Sequence, residues 1–308
     1  MSLPIPPIGA AVVILGVFDG VHLGHRHLVA ATVAAARERR ASAVAIVFNP
    51  HPDEVVQPGG SVQRLLPPDV TLERLRGAGL DHAVEVPFDE KLRAMSPEAF
   101  IDALAPGIDL RGMVMTADSA FGHRRAGTVE RVSEIGAERG FDVIRAEALH
   151  IDRAPVSSTR VRDALARGDV DEAHRLLDAW PILRGTVVHG DRRGRELGFP
   201  TANLSFDYPA ALPALGIYLG RVTVADRGVE PGHPALVSVG VRPTFHDNGH
   251  VLVEVYLLDW DGDLYDAEMT VELDARLREE RRFDSVPALV DQMRADEAEA
   301  RRRLAIDA

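Results

Sequence analysis

The 308-residue chain contains no cysteine, which excludes disulfide bonds, thiolate nucleophiles and zinc sites built from thiolates. Long apolar runs are also missing, and stretches such as Ala43–Phe48 are far too short to span a bilayer. No basic residue precedes the apolar part of the N-terminus, which argues against a secretory signal. These absences favour a soluble, cytoplasmic protein with no membrane partner.

Positive charge is scarce as well. The sequence has 35 Lys and Arg against 47 Asp and Glu, a formal net charge of −12. Because a phosphate backbone is held mainly by clustered Lys and Arg, we predict no nucleic-acid partner. The chain still has two local basic clusters, His189–Arg195 and Arg276–Arg282. They are compatible with binding of a small polyphosphate, because such a ligand needs only a local basic or amide-rich pocket.

The N-terminal part of the chain alternates apolar runs with helical patterns. The continuous runs Ala11–Leu15 and Ala43–Phe48 flank an Ala-rich helical stretch, which predicts a strand–helix–strand unit of a doubly wound α/β fold. The alternation continues with helices at 71–78, 97–104, 160–167 and 170–178, and with strands at 82–86, 113–115 and 141–145. We predict a first domain over residues 1–180, ending at Trp180-Pro181, because proline disfavours helix at the preceding residue.

Residues 181–308 have a different character. Short runs rich in Val, Tyr and Leu are separated by Gly, Pro and Asp turns, which predicts a small antiparallel β-barrel. The predicted strands are 186–189, 216–224, 235–239, 251–259 and 268–273. A final helix is predicted to begin at Asp284-Ser285.

A glycine-rich loop with two histidines follows the first predicted strand. Gly16, Gly20 and Gly24 would let the backbone approach a phosphate, and His22 and His25 could donate hydrogen bonds to its oxygens. A glycine-rich turn with two surface histidines is the alternative interpretation. The position of the loop at the carboxyl end of a buried strand favours a phosphate site, since ligands of open α/β sheets bind there.

A second glycine-rich segment spans residues 185–204, GTVVHGDRRGRELGFPTANL. Three glycines, Gly190, Gly194 and Gly198, surround a basic cluster in the manner of a phosphate-cradling loop. Thr201 and Asn203 supply neutral oxygen ligands suited to Mg²⁺ held jointly with a nucleotide. The segment is neither a Walker A loop nor a protein-kinase loop, and a glycine-rich hairpin with an Asx turn is the structural alternative.

The first half resembles the bacterial FAD synthetases of the HxGH nucleotidyltransferase superfamily. GVFDGVHLGH and FNPHP carry the resemblance, and Ser157–Arg162, SSTRVR, is similar to that family's phosphate-binding SSTxxR segment. The resemblance implies catalytic roles for His22 and His25. The nucleotide-binding residues that it implies are Gly16, Phe18, Asp19, Gly24, Asp118, Ser158, Thr159 and Arg162. An SST sequence also forms a plain helix N-cap, and both roles can hold at once.

One segment departs from that family's pattern. Where the family has a sequence close to GxDFRFG, residues 116–122 read TADSAFG. Asp118 and the final Phe-Gly match, whereas Thr116, Ser119 and Ala120 replace a glycine, an aromatic residue and a cation. An alternative is therefore a kinase whose N-terminal domain is impaired or uses a different nucleotide.

The second half resembles the riboflavin kinases, whose GxxxxGxxxGRxLGFPTANL pattern the segment 185–204 follows. The resemblance implies that Thr201 and Asn203 contact Mg²⁺ and ATP phosphates, and that Glu254 is the general base on the ribityl 5′-hydroxyl. It also implies nucleotide binding by Gly190, Gly194, Gly198 and Thr201. A lone Glu in a strand is usually solvent-facing, so the role of Glu254 depends on the resemblance. Phe245, Tyr256 and the final helix are expected to wall a flat apolar slot for the flavin.

The chain is thus identified as a member of the bacterial bifunctional riboflavin kinase and FAD synthetase family. The resemblance implies two reactions in series: riboflavin and ATP give FMN, then FMN and ATP give FAD and pyrophosphate. ATP, riboflavin and FMN would be its partners, Mg²⁺ its cofactor, and its state a monomer or transient homo-oligomer. A non-catalytic flavin- or nucleotide-binding regulator is a third alternative, although a sensor has no need of a base such as Glu254.

Overall fold

The structure is a computed structural model that describes residues 3–57, 59–190, 194, 197–241 and 251–304. The chain divides into two compact units. The first contains Met1–Val62 and Pro67–Ser158, and the second contains Gln63–Leu66 and Thr159–Ala308.

The first unit is built on a parallel five-stranded sheet. Its strands are β1 (Gly9–Gly16), β2 (Ser42–Asn49), β3 (His82–Pro87), β4 (Ile108–Met115) and β5 (Asp142–Arg145), in the order β3-β2-β1-β4-β5. Its helices are α1 (Leu23–Glu38), α2 (Pro52–Val56), α3 (Pro68–Gly77), α4 (Glu90–Arg93), α5 (Pro97–Leu104) and α6 (Val129–Arg139). A small hairpin follows, made of β6 (His150–Ile151) and β7 (Ala154–Pro155). The predicted doubly wound domain is confirmed.

The position of β1 determines where this unit can bind a ligand. β1 pairs with β2 on one side and with β4 on the other, both in parallel. The chain therefore reverses its direction of travel across the sheet at β1, and the crevice at the carboxyl ends of β1 and β4 is a topological switch point. The loop with the two histidines follows β1 at this edge of the sheet.

The second unit contains a closed six-stranded antiparallel barrel. Its strands are β8 (Ile182–Val188), β9 (Ala202–Ser205), β10 (Gly216–Val224), β11 (Val229–Val241), β12 (Val251–Leu257) and β13 (Glu268–Glu279), in the order β10-β11-β12-β9-β8-β13. Its helices are α7 (Ser158–Ala166), which begins at the last residue of the first unit, α8 (Val170–Leu177) and α9 (Val286–Leu304). The predicted barrel with a C-terminal helix is confirmed.

Alternation along the strands separates the two faces of the barrel. Val237, Val253 and Val255 are fully or almost fully buried and fill the interior. Their neighbours Ser238 and Glu254 point to the outer face, as the side-chain period of two requires. The outer face of β10–β12 therefore carries the residues that are available to a ligand.

Among the elements that the sequence patterns missed are a helix, α6, and a strand, β9. Helix α6 was not predicted, although Thr128 caps it by accepting a hydrogen bond from the Arg131 amide at 3.4 Å. Strand β9 was read as the end of a loop, yet it pairs with both β8 and β12. The second omission matters for function, because β9 carries Asn203.

Helices α7 and α8 belong to the same compact unit as the barrel. Leu176 and Leu177 of α8 are buried, and the Ala214 amide donates to the Leu165 carbonyl at the end of α7 at 2.9 Å. The ring of His174 stacks on Trp180 at 3.9 Å. The sequence-based domain boundary at residue 180 assigns these two helices to the first domain, whereas the compact units assign them to the second. The boundary at residue 180 stays a prediction.

We expect a fragment of residues 159–308 to be more stable than one of residues 181–308. Loss of the two buried leucines of α8 should lower the free energy of unfolding by about 3 kcal/mol or more, since each contributes ~1.5–3 kcal/mol. Urea unfolding followed by circular dichroism measures the difference, and Leu176→Ala in the longer fragment should reproduce part of it. Equal free energies for the two fragments would contradict the prediction.

Candidate active sites

The loop between β1 and α1 has an unusual backbone. Phe18 and Val21 adopt left-handed conformations with φ of 56° and 44°, and Gly20 between them has φ 84°. A Cβ on Gly16 would lie 3.2 Å from the Phe18 ring. Asp19 is buried, and its carbonyl accepts a hydrogen bond from the Ser158 hydroxyl at 2.8 Å. The loop is thus held in one shape between the end of β1 and the start of α7.

The two histidines of this loop lie against each other. His22 is buried and caps α1, its Nδ1 accepting a hydrogen bond from the His25 amide at 3.3 Å. The two rings stack with centroids 3.6 Å apart, and Phe18 packs edge-on against His25 at 5.2 Å. Because the cap fixes the acceptor nitrogen of His22, the pair has a defined orientation at the helix N-terminus.

His25 is held in its neutral form. Burial of the ring, and then the neighbouring His22, lower the pKa of His25 well below its ordinary value of 6.5. Its Nδ1 is buried and has no hydrogen-bond partner among the described residues. A neutral imidazole has one N–H, so His25 can donate a hydrogen bond to an anion without first losing or gaining a proton near pH 7.

Gly24 sits between the histidines and the segment that leads into α7. A Cβ there would lie 3.0 Å from the Val156 carbonyl oxygen and 3.1 Å from the His22 ring. Any larger residue would push the loop away from Val156–Ser158. The predicted residues Gly16, Phe18, Asp19, His22, Gly24, His25 and Ser158 therefore form one cluster at the carboxyl end of β1.

The altered segment 116–122 follows β4 directly, at the same edge of the sheet. The Thr116 hydroxyl donates to the Asp118 carboxylate at 2.6 Å and lies 2.7 Å from the Ser119 hydroxyl. The Ser119 hydroxyl also accepts from the Thr116 amide at 2.9 Å, and Arg125 donates to the Asp118 carbonyl at 2.9 Å. Two of the three substituted side chains, Thr116 and Ser119, thus bond to each other, and Thr116 also holds the Asp118 carboxylate.

Thr159 and Arg162, the other predicted phosphate ligands, lie in the first turns of α7 and belong to the second unit. Arg162 Nη2 lies 3.5 Å from the Thr159 hydroxyl and its Nη1 lies 3.5 Å from the Gln63 carbonyl. A hydroxyl and a guanidinium at a helix N-terminus are suited to an anion.

The barrel brings three predicted site residues together. Asn203 of β9 lies directly opposite Glu254 of β12 in the strand register. Thr201, two residues before Asn203, shares its face, and the Thr201 hydroxyl donates to Glu254 Oε1 at 3.4 Å. Side chains directly opposite in an antiparallel pair have Cβ atoms about 5 Å apart, so an amide, a hydroxyl and a carboxylate converge on the outer face of the barrel.

The glycine-rich segment approaches this group through its backbone. A Cβ on Gly190 would collide with the side-chain amide of Asn203, and one on Gly194 would collide with the Phe199 carbonyl. The Gly194 carbonyl accepts hydrogen bonds from the Leu197 and Phe199 amides at 3.1 and 2.8 Å. Gly198 has φ 86°, a conformation that favours glycine. Residues 191–193, 195 and 196, with most of the basic cluster, lie outside the described part of the chain.

A cavity of about 430 Å³ lies between the outer face of β10–β12 and helix α9. Glu254 and Thr201 open into it together with a largely apolar lining. That lining includes Leu197, Phe199, Leu236, Leu252, Tyr256, Phe283, Leu289 and Met293. Tyr256 is therefore a cavity wall, as predicted, whereas Phe245 lies outside the described residues.

A second cavity, of about 370 Å³, opens on the other side of Thr201. Pro200, Trp260 and Tyr265 line it, with Asp261 and Asp263 as its carboxylates. The ring of His189 lies 3.8 Å from that of Tyr265. Thr201 lines both cavities, so a ligand in one can meet a ligand in the other at this hydroxyl.

Comparison with known proteins matches both halves of the chain. The FAD synthetase family model matches residues 7–160, and the riboflavin kinase model matches residues 177–304. A relative from Pseudomonas fluorescens, named bifunctional riboflavin kinase/FMN adenylyltransferase, is 36% identical over 96% of this chain and 94% of its own. The chain belongs to this family.

Other relatives agree. The Escherichia coli K12 protein of the same name is 34% identical, with 96% of this chain and 93% of its own covered. A crystal structure described as a macrolide-efflux protein from Streptococcus pneumoniae superposes with a TM-score of 0.87 at 31% identity, covering 97% of this chain and 96% of that one. Within the part of this chain that the structure describes, no helix has the length and apolar character needed to cross a membrane.

Several residues that line the two cavities were not predicted from the sequence as functional. Trp260 lines the second cavity, and the ion pair of Arg278 and Asp296 lines the first. Strands β11 and β12 carry a sequence signal for the first cavity, because their outward positions Leu236, Leu252 and Tyr256 are apolar. Apolar residues at outward positions predict that another element of the chain, or a ligand, covers that face of the barrel.

We expect nuclear magnetic resonance titration of the 12 histidines to reveal one with a pKa well below 6.5, which His25→Gln removes. Since the unfolded chain binds this proton near pH 6.5 and the folded chain does not, the contribution of His25 to stability is present above pH 6.5 and is lost as pH falls. His27→Gln, at an exposed position of the same helix, is the control and should leave the low-pKa resonance in place. A His25 resonance that titrates at or above pH 6.5 would contradict the prediction.

Proposed function

We propose that the barrel phosphorylates riboflavin with ATP to give FMN, and that the N-terminal unit transfers AMP from a second ATP to FMN, giving FAD and pyrophosphate. The observation that carries this proposal is the convergence of Glu254, Thr201 and Asn203 beside a cavity of about 430 Å³. Cavities of roughly 300–1,000 Å³ with an apolar lining and a few polar groups are typical of small-molecule sites.

In the kinase step the ribityl 5′-oxygen attacks the γ-phosphorus of ATP. A new P–O bond forms while the bond from the γ-phosphorus to the bridging oxygen of ADP breaks. Glu254 takes the hydroxyl proton as the nucleophile attacks. The Thr201 hydroxyl, at 3.4 Å from Glu254 Oε1, orients that carboxylate. Phosphoryl transfer depends mainly on positioning and charge neutralisation, which these groups supply.

We assign riboflavin to the cavity under α9 and ATP to the cavity lined by Trp260 and Tyr265. The apolar lining of the first suits a flat ring system, and Glu254 stands where the ribityl chain must end. The aromatic residues of the second suit a nucleobase. Because Thr201 lines both cavities, the γ-phosphate and the 5′-hydroxyl would meet beside it.

Thr201 and Asn203 are suited to hold Mg²⁺ with the nucleotide. Their hydroxyl and amide oxygens are hard ligands, and the Glu254 carboxylate is adjacent. Mg²⁺ is usually held by one or two protein oxygens together with substrate phosphates, so a cluster of three carboxylates or histidines is not required. The ion would neutralise the phosphate charge that builds up during transfer.

In the adenylyl step an FMN phosphate oxygen attacks the α-phosphorus of ATP, and pyrophosphate leaves with the bridging oxygen. His22 and His25 lie at the N-terminus of α1, where preplaced donors would stabilise the charge on the α-phosphate. Ser158, whose hydroxyl donates to the Asp19 carbonyl of the same unit, would bind another phosphate, and Thr159 and Arg162 keep their predicted role as phosphate ligands. Asp118, held by Thr116, remains available at the neighbouring strand end.

The altered segment 116–122 supports retention of this second activity. Two of its three substituted side chains, Thr116 and Ser119, are hydrogen-bonded to each other, and Ser119 also bonds to the loop backbone. A lost aromatic or cation contact weakens binding by roughly 1–3 kcal/mol, which changes substrate affinity more than catalysis. We therefore assign FMN adenylylation to residues 1–180 and riboflavin phosphorylation to residues 181–308, in a cytoplasmic enzyme.

Incubation of the full chain with riboflavin, ATP and Mg²⁺, followed by chromatography of the flavins, tests the whole proposal. FMN and FAD together are the expected products. FMN without FAD would indicate an N-terminal unit that is impaired or uses another nucleotide. Unchanged riboflavin, bound or free, would indicate a regulator without catalysis.

Glu254→Gln should slow riboflavin phosphorylation by about 100-fold or more, because a general base contributes about 10²–10⁴-fold. Conversion of supplied FMN to FAD should be unchanged, and the affinity for ATP should change little because a base acts mainly in the transition state. Steady-state rates of FMN formation measure the effect. Glu230→Gln, at an exposed position of β11, is the matched control. Normal phosphorylation by Glu254→Gln would overturn the assignment.

His25→Ala should lower FAD formation from FMN by about 10²–10³-fold, the usual effect of removing one preplaced donor, while riboflavin phosphorylation continues. The same assay offers FMN with ATP, CTP and GTP separately and identifies each dinucleotide by mass. Product from ATP is expected. Product from CTP or GTP alone would identify a different flavin nucleotidyltransferase, and a fully active His25→Ala variant would refute the role of the histidine.

A further inference from the structure

Helix α9 is attached to the barrel unevenly along its length. Its C-terminal half packs through Ala300, fully buried, against an apolar cluster that includes Leu219, Leu236 and Leu258. Arg301 adds an ion pair, its Nη1 donating to Asp259 Oδ2 at 2.8 Å. The N-terminal half is more open: Val286 is 59% exposed. This open half nevertheless supplies Leu289 and Met293 to the wall of the 430 Å³ cavity.

A buried ion pair joins α9 to β13 where the attached half meets the open half. Asp296 is 6% exposed and accepts from Arg278 Nε at 2.9 Å and from Arg278 Nη2 at 2.7 Å. Gln292, one turn earlier, donates to the same carboxylate at 2.9 Å. The Arg278 side chain is 12% exposed, and its Nη1 donates to the Glu279 carbonyl at 3.0 Å. The pair is bidentate, and each partner makes a further hydrogen bond to the surrounding chain.

This pair also organises the cavity wall around it. Arg278 and Asp296 both line the cavity, and the Arg278 guanidinium lies over the Phe283 ring at 5.9 Å. Phe283 is itself a lining residue, in the connection between β13 and α9. One guanidinium thus links the strand, the connection and the helix, all of which line the cavity together with Glu254.

The energetics favour a role in orientation over a role in stability. Removing two charges from water costs about as much as their attraction returns, so well-packed apolar side chains are often as stable as a buried ion pair. A planar bidentate pair differs from an apolar contact because it fixes direction as well as distance. At this position it fixes the angle at which the open half of α9 leaves the barrel.

We infer that Asp296 is a positioning residue for flavin binding: through Arg278 it holds the N-terminal half of α9 and Phe283 as a preformed wall against the ring of the substrate. The inference depends on the proposed function, in which this cavity binds riboflavin. A wall held in place before binding lowers the ordering cost that the ligand would otherwise meet. In this role Asp296 acts on the affinity for riboflavin and not on the chemical step.

Titration of the full chain with riboflavin, followed by quenching of flavin fluorescence, tests this inference. Asp296→Asn should raise the riboflavin Kd and KM by about ten-fold or more through loss of preorganisation, with kcat changed less than about three-fold. FAD formation from supplied FMN should be unchanged. Glu299→Gln, which alters an ion pair with Arg302 and Arg303 on the same helix, is the matched control and should bind normally.

A second variant separates orientation from stability. Arg278→Met with Asp296→Leu replaces the pair by apolar side chains and is expected to keep the melting temperature while losing riboflavin affinity. Arg278→Lys keeps the charge but not the bidentate geometry, and we expect a smaller rise in Kd. These variants also test the inference if Asp296→Asn does not fold.

Different outcomes distinguish the possible failures. Unchanged riboflavin affinity in Asp296→Asn or in the apolar double variant would overturn the inference, as would a fall in kcat with no change in KM. An unmodified chain that does not quench riboflavin fluorescence would instead refute the proposed function.

Discussion

The pairing of β9 with β12 is the interaction on which the barrel site depends. It sets Asn203 opposite Glu254 and directs both side chains to the outer face, while Val253 and Val255 fill the interior. A slip of one residue would exchange the two faces and send the Glu254 carboxylate into an apolar core. The same register therefore maintains both the core of the barrel and the convergence of its polar groups.

The two candidate sites are built from different kinds of interaction. In the first unit, a tight loop and a helix cap place His22 and His25 within four residues of each other. The barrel instead assembles its group from segments about 50 residues apart in sequence, which meet through strand pairing. Local geometry is enough to hold the histidine pair, whereas the polar group of the barrel needs strands from different parts of the sequence.

The cavity on the outer face of the barrel forms because helix α9 is attached along only part of its length. Strands β11 and β12 are apolar inside the barrel and also carry Leu236, Leu252 and Tyr256 on the outer face, which α9 covers while leaving a cavity beneath it. The helix is attached through Ala300 and Arg301 at one end and through Asp296 near its middle. Because the helix is attached along only part of its length, a cavity remains under the rest, and Leu289 and Met293 line it together with Glu254.

Much of the architecture and of the candidate sites could be predicted from the sequence by itself. Buried-strand runs, helical periodicity and glycine spacing are local signals, and they indicated the parallel sheet, the barrel, the histidine loop and the 185–204 segment. Tertiary structure decided the rest. Strand β9 has only four residues, and its pairing with β8 and β12 overrides a loop-like sequence. The partnership of Arg278 with Asp296 was equally hidden, because an ion pair between distant segments leaves no periodic pattern in either one.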